Sequence, residues 1–132
     1  MSSILVVEDH LLFADSIQRL LDKQTGLEIV DVVQSGEEAL KKLPELKVDL
    51  VLVDVSLPAM NGIDLVQQIR SEFPQIRCLI LSGHMIQSYV KRSLDAGAHG
   101  YVLKDDMNGI LEGIRRALNG EIYVSSALRR YE

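Results

Sequence analysis

Several classes of protein are excluded by what this chain of 132 residues lacks. Cys78 is the only cysteine, so an intramolecular disulfide cannot form, and a reducing, cytoplasmic compartment is expected. No apolar run approaches the ~20 residues that a membrane-spanning helix requires, so insertion into a membrane is not expected. The first residues lack a basic stretch followed by an apolar one, which disfavours a secretory signal.

Basic residues are also in the minority. The chain has 14 lysines and arginines against 19 aspartates and glutamates, a net charge of −5, which disfavours direct binding of nucleic acid through phosphate neutralisation. Apolar residues make up 47% of the chain and charged residues 25%, a balance typical of folded globular proteins. A chain of this length can bury one sizeable core.

Five short runs of leucine and β-branched residues recur along the chain. Their nearly continuous apolar character indicates strands buried on both faces, as in a parallel sheet. The second run contains Asp31 and follows Glu28, which predicts an exposed edge strand. The predicted strands are Ile4–Val7, Ile29–Val33, Leu50–Val53, Cys78–Leu81 and Tyr101–Leu103.

Segments with helical spacing separate these runs. Phe13, Ile17 and Leu21 lie on one face of a helix, and Ser35–Glu38 has the pattern of a capping box that opens a shorter helix. Strict alternation of strand and helix predicts a doubly wound α/β fold, with a five-stranded parallel sheet and five helices. The remaining apolar stripes lie within residues 65–73, 86–94 and 110–118.

We expect one domain over residues 1–120, because no linker or low-complexity segment interrupts this alternation. Residues 121–132 follow the last predicted helix and contain no second core. They are interpreted as an exit segment or the start of a linker.

Polar side chains follow the predicted strands where the strands end. Glu8 and Asp9 follow the first, Asp54 the third, Ser82 the fourth and Lys104 the fifth. In an open α/β sheet, ligands bind beyond the carboxyl ends of the strands, so we expect these groups to lie together. Clustered carboxylates suit Mg²⁺, a carboxylate can attack phosphorus, and a lysine can offset charge on a phosphoryl group.

The chain resembles bacterial response-regulator receiver domains in four separated motifs. These motifs are Ile4–His10, Leu52–Gly62, Leu81–Gly83 and Gly100–Lys104, and the resemblance extends over residues 3–120. It implies a flavodoxin-like fold with strand order 2-1-3-4-5. It also implies a protein that accepts a phosphoryl group from a sensor histidine kinase and then changes the surface it presents to partners.

The resemblance further implies a role for each group at the predicted site. Asp54 would accept the phosphoryl group. Mg²⁺ or Mn²⁺ would be held directly by Asp9 and Asp54, largely through water by Glu8, and by the backbone carbonyl of Ser56. Glu8 departs from the more usual aspartate of the family, which changes how that position reaches the metal.

The same resemblance assigns the switch. Lys104 would contact the phosphoryl group, while the Ser82 hydroxyl would move toward it and Tyr101 would pack inward behind that hydroxyl. The surface of the fourth helix, fifth strand and fifth helix would then change shape. Ser56 and His84 would line the approach of the hydrolysing water and so set the lifetime of the phosphorylated form.

His10 and Asp105 are similar to the NarL/FixJ branch, also called LuxR-type, whose members carry a C-terminal helix-turn-helix domain. That similarity implies transcription regulation, with DNA bound only through a domain absent from this chain. It also implies a phosphorylation-dependent homodimer as one outcome.

Other interpretations stay open at this stage. Each site residue has a structural explanation of its own, such as Ser82 as a helix N-cap or Lys104 as a surface lysine. A phosphohydrolase that forms an aspartyl-phosphate is the enzymatic alternative, although Ser56 stands where such enzymes place an acid/base aspartate. A degenerate receiver that serves only for interaction is the other alternative. On the receiver reading, no turnover of an external substrate is expected.

Overall fold

The computed structural model describes residues 1–83 and 86–126, which form a six-stranded parallel sheet with five α-helices. The strands are β1 (Ser2–Val7), β2 (Leu27–Val33), β3 (Leu50–Asp54), β4 (Arg77–Ser82), β5 (Gly100–Leu103) and β6 (Tyr123–Val124). The helices are α1 (Leu11–Asp22), α2 (Gly36–Lys42), α3 (Gly62–Glu72), α4 (Gln87–Asp95) and α5 (Met107–Leu118), and a 3-10 turn at Leu43–Glu45 follows α2.

The helices cover both faces of the sheet. Successive strand residues point to opposite faces, so each central strand contributes to two cores. Ile4 and Val6 of β1 pack in one cluster with residues of α1 and α5, while Leu5 and Val7 pack in the other with residues of α2, α3 and α4. The doubly wound architecture predicted from the alternation is confirmed.

The predicted number of strands is wrong by one. The sheet order is β2-β1-β3-β4-β5-β6, so the order 2-1-3-4-5 is correct and is extended by a sixth strand. Tyr123 donates a backbone hydrogen bond to His99 and Ser125 donates one to Tyr101, at 3.0 Å each. Two strand residues are too few to form a recognisable apolar run, which explains the omission. Residues 127–132 of the expected exit segment lie outside the described part.

The predicted edge strand is confirmed. β2 pairs only with β1 and ends the sheet, and most of its residues are partly exposed. Its Asp31 carboxylate pairs with the ammonium group of Lys42 at 2.6 Å, near the protein surface. Among residues 1–83 and 86–126, no helix has the length and apolar character needed to cross a bilayer.

Side chains cap some of the helices, including the one with the predicted capping box. Ser35 accepts a hydrogen bond from the Glu38 backbone N–H at 3.2 Å, as the capping box predicts. Asp106 caps α5 in the same way, accepting from the Gly109 N–H at 2.9 Å. These caps fix the first turns of helices that begin beside the carboxyl ends of the strands.

Candidate functional site

Three carboxylates meet at the carboxyl edge of the sheet. β1 and β3 are neighbours, with Val7 opposite Val53, so the residues that follow them come together. Glu8, Asp9 and Asp54 each offer an oxygen, and these oxygens lie within 4.8 Å of one another. Glu8 and Asp54 are buried, whereas Asp9 is exposed. The predicted acidic cluster is therefore confirmed as a cluster.

Lys104 supplies positive charge to this cluster from the end of β5. Its Nζ lies 2.8 Å from Glu8 Oε1 and 3.3 Å from Asp54 Oδ2. The ammonium group also lies 4.6 Å from the centroid of the Phe13 ring, within the range of a cation–π contact. The Lys104 backbone N–H donates to the Ser82 carbonyl at 2.8 Å, which ties the ends of β4 and β5 together.

The cluster holds more negative charge than one lysine offsets. The pKa of Glu8 is raised to about 7, and burial is the largest cause. Hydrogen bonds from Lys104 and the His10 backbone oppose the rise, and the nearby charge of Asp54 adds to it. Desolvation thus outweighs the lysine at this carboxyl group. A hard divalent cation would relieve the repulsion, and an all-oxygen donor set suits Mg²⁺.

The backbone around Asp54 fixes its carboxylate. The Ser56 backbone N–H donates to Asp54 Oδ1 at 3.0 Å, which leaves Oδ2 on the side of Lys104. The Gly62 N–H donates to the Val55 carbonyl at 3.0 Å. A Cβ on Gly62 would lie 2.2 Å from the Asp54 carbonyl oxygen, so only glycine permits this approach of α3 to β3.

Ser82 and Tyr101 lie on adjacent strands and are fully buried. Burial raises the pKa of the Tyr101 phenol, and a hydrogen bond with the Ser82 side chain acts against that rise. The hydroxyl pair is therefore already in contact, with the tyrosine ring inside the protein. Ser82 is also the last residue of β4, whereas Ile86 holds the N-cap position of α4, so Ser82 does not cap that helix.

The remaining predicted positions are less central. His10 holds the N-cap position of α1, where its side chain makes no capping bond and its backbone N–H donates to Glu8 at 3.0 Å. Asp105 is exposed, and His84 lies outside the described residues. Ser56 is exposed beside Asp54, and its backbone N–H is the group that contacts that carboxylate.

Two residues in contact with this site are not indicated as such by the sequence. Phe13 was assigned only to an apolar helix stripe, yet its ring packs under the ammonium group of Lys104. An aromatic residue in the first turn of α1, directly after an acidic pair, was the available signal. Gly62 is the last residue of the motif Leu52–Gly62 and the first residue of α3, but no feature of the sequence indicates its contact with Asp54.

Fold and site together define a doubly wound, flavodoxin-like α/β protein with an acidic, lysine-paired site at the carboxyl edge of its sheet. Residues 4–115 match the response regulator receiver domain. The chain belongs to that family, as its motifs implied.

Relatives and solved structures place the chain near one branch of the family. It is 30% identical over 122 residues to the transcriptional regulatory protein DegU of Brevibacillus brevis, covering 92% of this chain and 52% of that protein. It is 36% identical over 119 residues to the response regulator protein VraR of Staphylococcus aureus, covering 89% of this chain and 57% of that protein. The chain thus spans little more than half the length of these relatives.

Among solved structures, a LuxR-family two-component response regulator from Aurantimonas sp. SI85-9A1 superposes with a TM-score of 0.94 at 27% identity, covering 98% of this chain and 94% of that chain. The signal receiver domain of the putative response regulator NarL from Mycobacterium tuberculosis gives a TM-score of 0.85 at 27% identity, with coverages of 91% and 98%. The similarity to the NarL/FixJ, or LuxR-type, branch is therefore confirmed.

Proposed function

We propose that this receiver domain is a phosphorylation switch in which Asp54 accepts a phosphoryl group from a phosphohistidine of a sensor histidine kinase. An Asp54 oxygen forms a bond to phosphorus while the bond from phosphorus to the histidine nitrogen breaks, and the imidazole recovers a proton from solvent. The orientation of the Asp54 carboxylate is the main support for this proposal. Its Oδ1 accepts from the Ser56 N–H, and its Oδ2 lies toward Lys104. Such preorganisation of a nucleophile favours transfer.

Glu8, Asp9 and Asp54, with the backbone carbonyl of Ser56, are the groups we propose to hold Mg²⁺ or Mn²⁺. The cluster of oxygen donors and the raised pKa of Glu8 support this assignment. A bound divalent cation supplies Lewis-acid stabilisation of charge on the phosphoryl oxygens. Glu8 and Asp54 are fixed by backbone N–H groups of His10 and Ser56, so their carboxylates need little rearrangement to bind.

Lys104, Ser82 and Tyr101 form the rest of the proposed switch. The Lys104 ammonium group is already 3.3 Å from Asp54 and can transfer its contact to a phosphoryl oxygen. The Ser82 hydroxyl donates to another phosphoryl oxygen and so changes its bond to Tyr101. Because Tyr101 is already buried, the proposed response is a tightening of β4 and β5 rather than a large inward rotation of the ring.

The output reaches partners through α4, β5 and α5, the elements that carry or flank this switch. The relatives named above are longer than this chain and one of them is named a transcriptional regulatory protein, which supports transcription regulation. An attached helix-turn-helix domain would be the part that performs it. DNA would be contacted only by that domain, and a phosphorylation-dependent homodimer would be one route to it. Residues 121–126 pack against the sheet, so the linker would then follow them.

A phosphohydrolase is less well supported than a switch. Ser56 occupies the position two residues after the proposed nucleophile, and its hydroxyl cannot act as the carboxylic acid such enzymes use. We therefore propose that the chain catalyses its own phosphorylation and dephosphorylation without turnover of an external substrate.

The experiment is the intact mass of the protein after incubation with acetyl phosphate, with and without Mg²⁺. One phosphoryl adduct is expected with Mg²⁺, and none in its absence or in Asp54→Asn. Asp105→Asn removes an exposed carboxylate near the same edge and is the matched control, with uptake unchanged. An adduct that persists in Asp54→Asn would refute the assignment of Asp54. The lack of any adduct in the unmodified protein would favour a degenerate receiver.

A further inference from the structure

The segment that follows α5 returns to the sheet beside the strand that carries the proposed switch. β6 pairs in parallel with β5, with Tyr123 opposite Gly100 and Val124 opposite Tyr101. A Cβ on Gly100 would lie 2.2 Å from the Tyr123 carbonyl oxygen, so the two strands approach too closely for any larger residue. The segment is thus closely packed against β5.

Ser125 follows β6 in a position with no exposure to solvent, and both its backbone N–H and its hydroxyl bond to β5. Its backbone N–H donates to the Tyr101 carbonyl at 3.0 Å. Its Oγ accepts from the Leu103 backbone N–H at 3.0 Å and donates to Asp106 Oδ2 at 3.0 Å. A hydroxyl can do both at once, because it carries one donor and two lone pairs.

Asp106 links this serine to α5. While Oδ2 accepts from Ser125, Oδ1 caps the helix by accepting from the Gly109 N–H at 2.9 Å. A Cβ on Gly109 would lie 2.1 Å from Asp106 Oδ2, so glycine at that position makes room for the carboxylate. We call the two residues Ser125 and Asp106, with the hydrogen bond between them, the clasp.

Ser125 of the clasp bonds to β5 on both sides of Val102, at the Tyr101 carbonyl and the Leu103 N–H. Lys104 is the next residue along the chain, and its ammonium group reaches Glu8 and Asp54. The backbone that presents both Lys104 and Tyr101 is therefore held by a hydroxyl from the segment after α5. Any shift of the carboxyl end of β5 must change the length of these hydrogen bonds.

We propose that the clasp makes residues 121–126 part of the phosphorylation switch, with Ser125 as a positioning residue for Lys104 and Tyr101. The inference rests on the proposed function of Asp54. A phosphoryl group on Asp54 draws Lys104 and Ser82 toward it and fixes the end of β5, which strengthens the docking of the segment. Because coupling is reciprocal, the docked segment strengthens the hold on the phosphoryl group by the same factor.

The test uses the full chain with Mg²⁺ and beryllofluoride, which mimics an aspartyl-phosphate. Hydrogen exchange at the Leu103 and Ser125 amides reports the two clasp contacts on β5, and their protection is expected to rise several-fold on beryllofluoride binding. Ser125→Ala removes the hydroxyl and is expected to weaken beryllofluoride binding about 5-fold, the low end of usual coupling factors. Isothermal titration calorimetry measures the affinity.

Two further variants separate positioning from folding. Asp106→Asn keeps an oxygen to cap α5 but replaces the acceptor of the Ser125 hydroxyl with a donor, so a smaller loss of affinity is expected. Ser126→Ala removes the neighbouring exposed hydroxyl and should bind as the unmodified protein does. A lower melting temperature alone would not change the affinity of the folded protein for beryllofluoride.

The outcomes distinguish a failure of the clasp from a failure of the proposed function of Asp54. Binding by the unmodified protein, with equal affinity in Ser125→Ala and Asp106→Asn, would overturn the clasp and leave the proposed function intact. No binding and no acetyl-phosphate adduct in the unmodified protein would overturn both. Weaker binding in the clasp variants alone would support the clasp.

Discussion

Lys42 and Lys104 each place an ammonium group against a carboxylate, but the two carboxyl groups respond in opposite directions. Lys42 lies 2.6 Å from Asp31, and its hydrogen bond lowers the pKa of that carboxyl group. Lys104 lies 2.8 Å from Glu8, whose pKa is raised to about 7. The distances are similar, so contact with a lysine does not by itself determine the shift.

Burial accounts for the difference. The Asp31 side chain is 32% exposed at the sheet edge and keeps much of its hydration. The Glu8 side chain is 2% exposed and shares its lysine with Asp54, so desolvation and like charge exceed the attraction. An exposed ion pair contributes little to stability. A buried carboxyl group with a raised pKa at the carboxyl edge of a sheet is typical of a functional site.

The largest effect is expected from a change in the close contact between Gly62 and the Asp54 backbone. Gly62→Ala places a methyl group 2.2 Å from the Asp54 carbonyl oxygen, so β3 or α3 must shift. We expect a loss of about 3 kcal/mol in the free energy of unfolding, measured by urea denaturation. Gly83→Ala, where a Cβ meets no atom within 4 Å, is the control and should change little. Equal stability of both variants would show that the site backbone is not rigid.

Removal of the partly buried Lys104 should have the next largest effect. Lys104→Met leaves Glu8 and Asp54 without their ammonium partner. Without a divalent cation, we expect the free energy of unfolding to fall by about 2 kcal/mol, less than for a fully buried pair because the lysine is partly exposed. Mg²⁺ should restore much of that stability, because metal binding is spared. Thermal unfolding with and without Mg²⁺ measures both. A loss that Mg²⁺ leaves unchanged would contradict the proposed metal site.

Asp54→Asn should act in the opposite direction. The change removes one charge from the acidic cluster but keeps an oxygen for the Ser56 N–H. We expect the metal-free protein to gain about 1 kcal/mol in stability, close to the value of one pKa unit. Asp9→Asn, at the exposed member of the cluster, should give a smaller gain. If Asp54→Asn instead destabilises the protein, attraction to Lys104 outweighs the repulsion.

Loss of the exposed pair should have the smallest effect. Lys42→Met removes the partner of Asp31, and we expect the urea midpoint to stay within experimental error at both low and high salt. The comparison of the two lysines would fail if this variant lost as much stability as Lys104→Met.

The sequence predicted the sheet well because its strands are continuous apolar runs bounded by charges. The five predicted strands agree with the structure to within two residues at each end. α5 begins at Met107, three residues before the apolar stripe at Ile110, because its first turn is capped by Asp106 rather than buried. β6 was missed because hydrogen bonds to β5, rather than a long apolar run, define it.

The cluster at the site was predictable because parallel strands bring their carboxyl ends to one edge. The sequence could not predict which atoms of the site contact one another. Lys104 lies nearer to Glu8 than to Asp54, and Tyr101 is buried already. Ser125 contacts β5 only because the chain turns back after α5, and no local pattern encodes that return. The roles of these residues stay predictions.

The sixth strand also protects one edge of the sheet against edge-to-edge pairing with another molecule. β2 is charged at Glu28 and Asp31, a common protection for a sheet edge, but Gly100–Leu103 of β5 carries no charge at all. Residues 121–126 cover that second edge and occupy its hydrogen-bonding groups. A chain cut after Gly120 would present an apolar, unpaired strand to solvent, the template on which edge-to-edge aggregation begins.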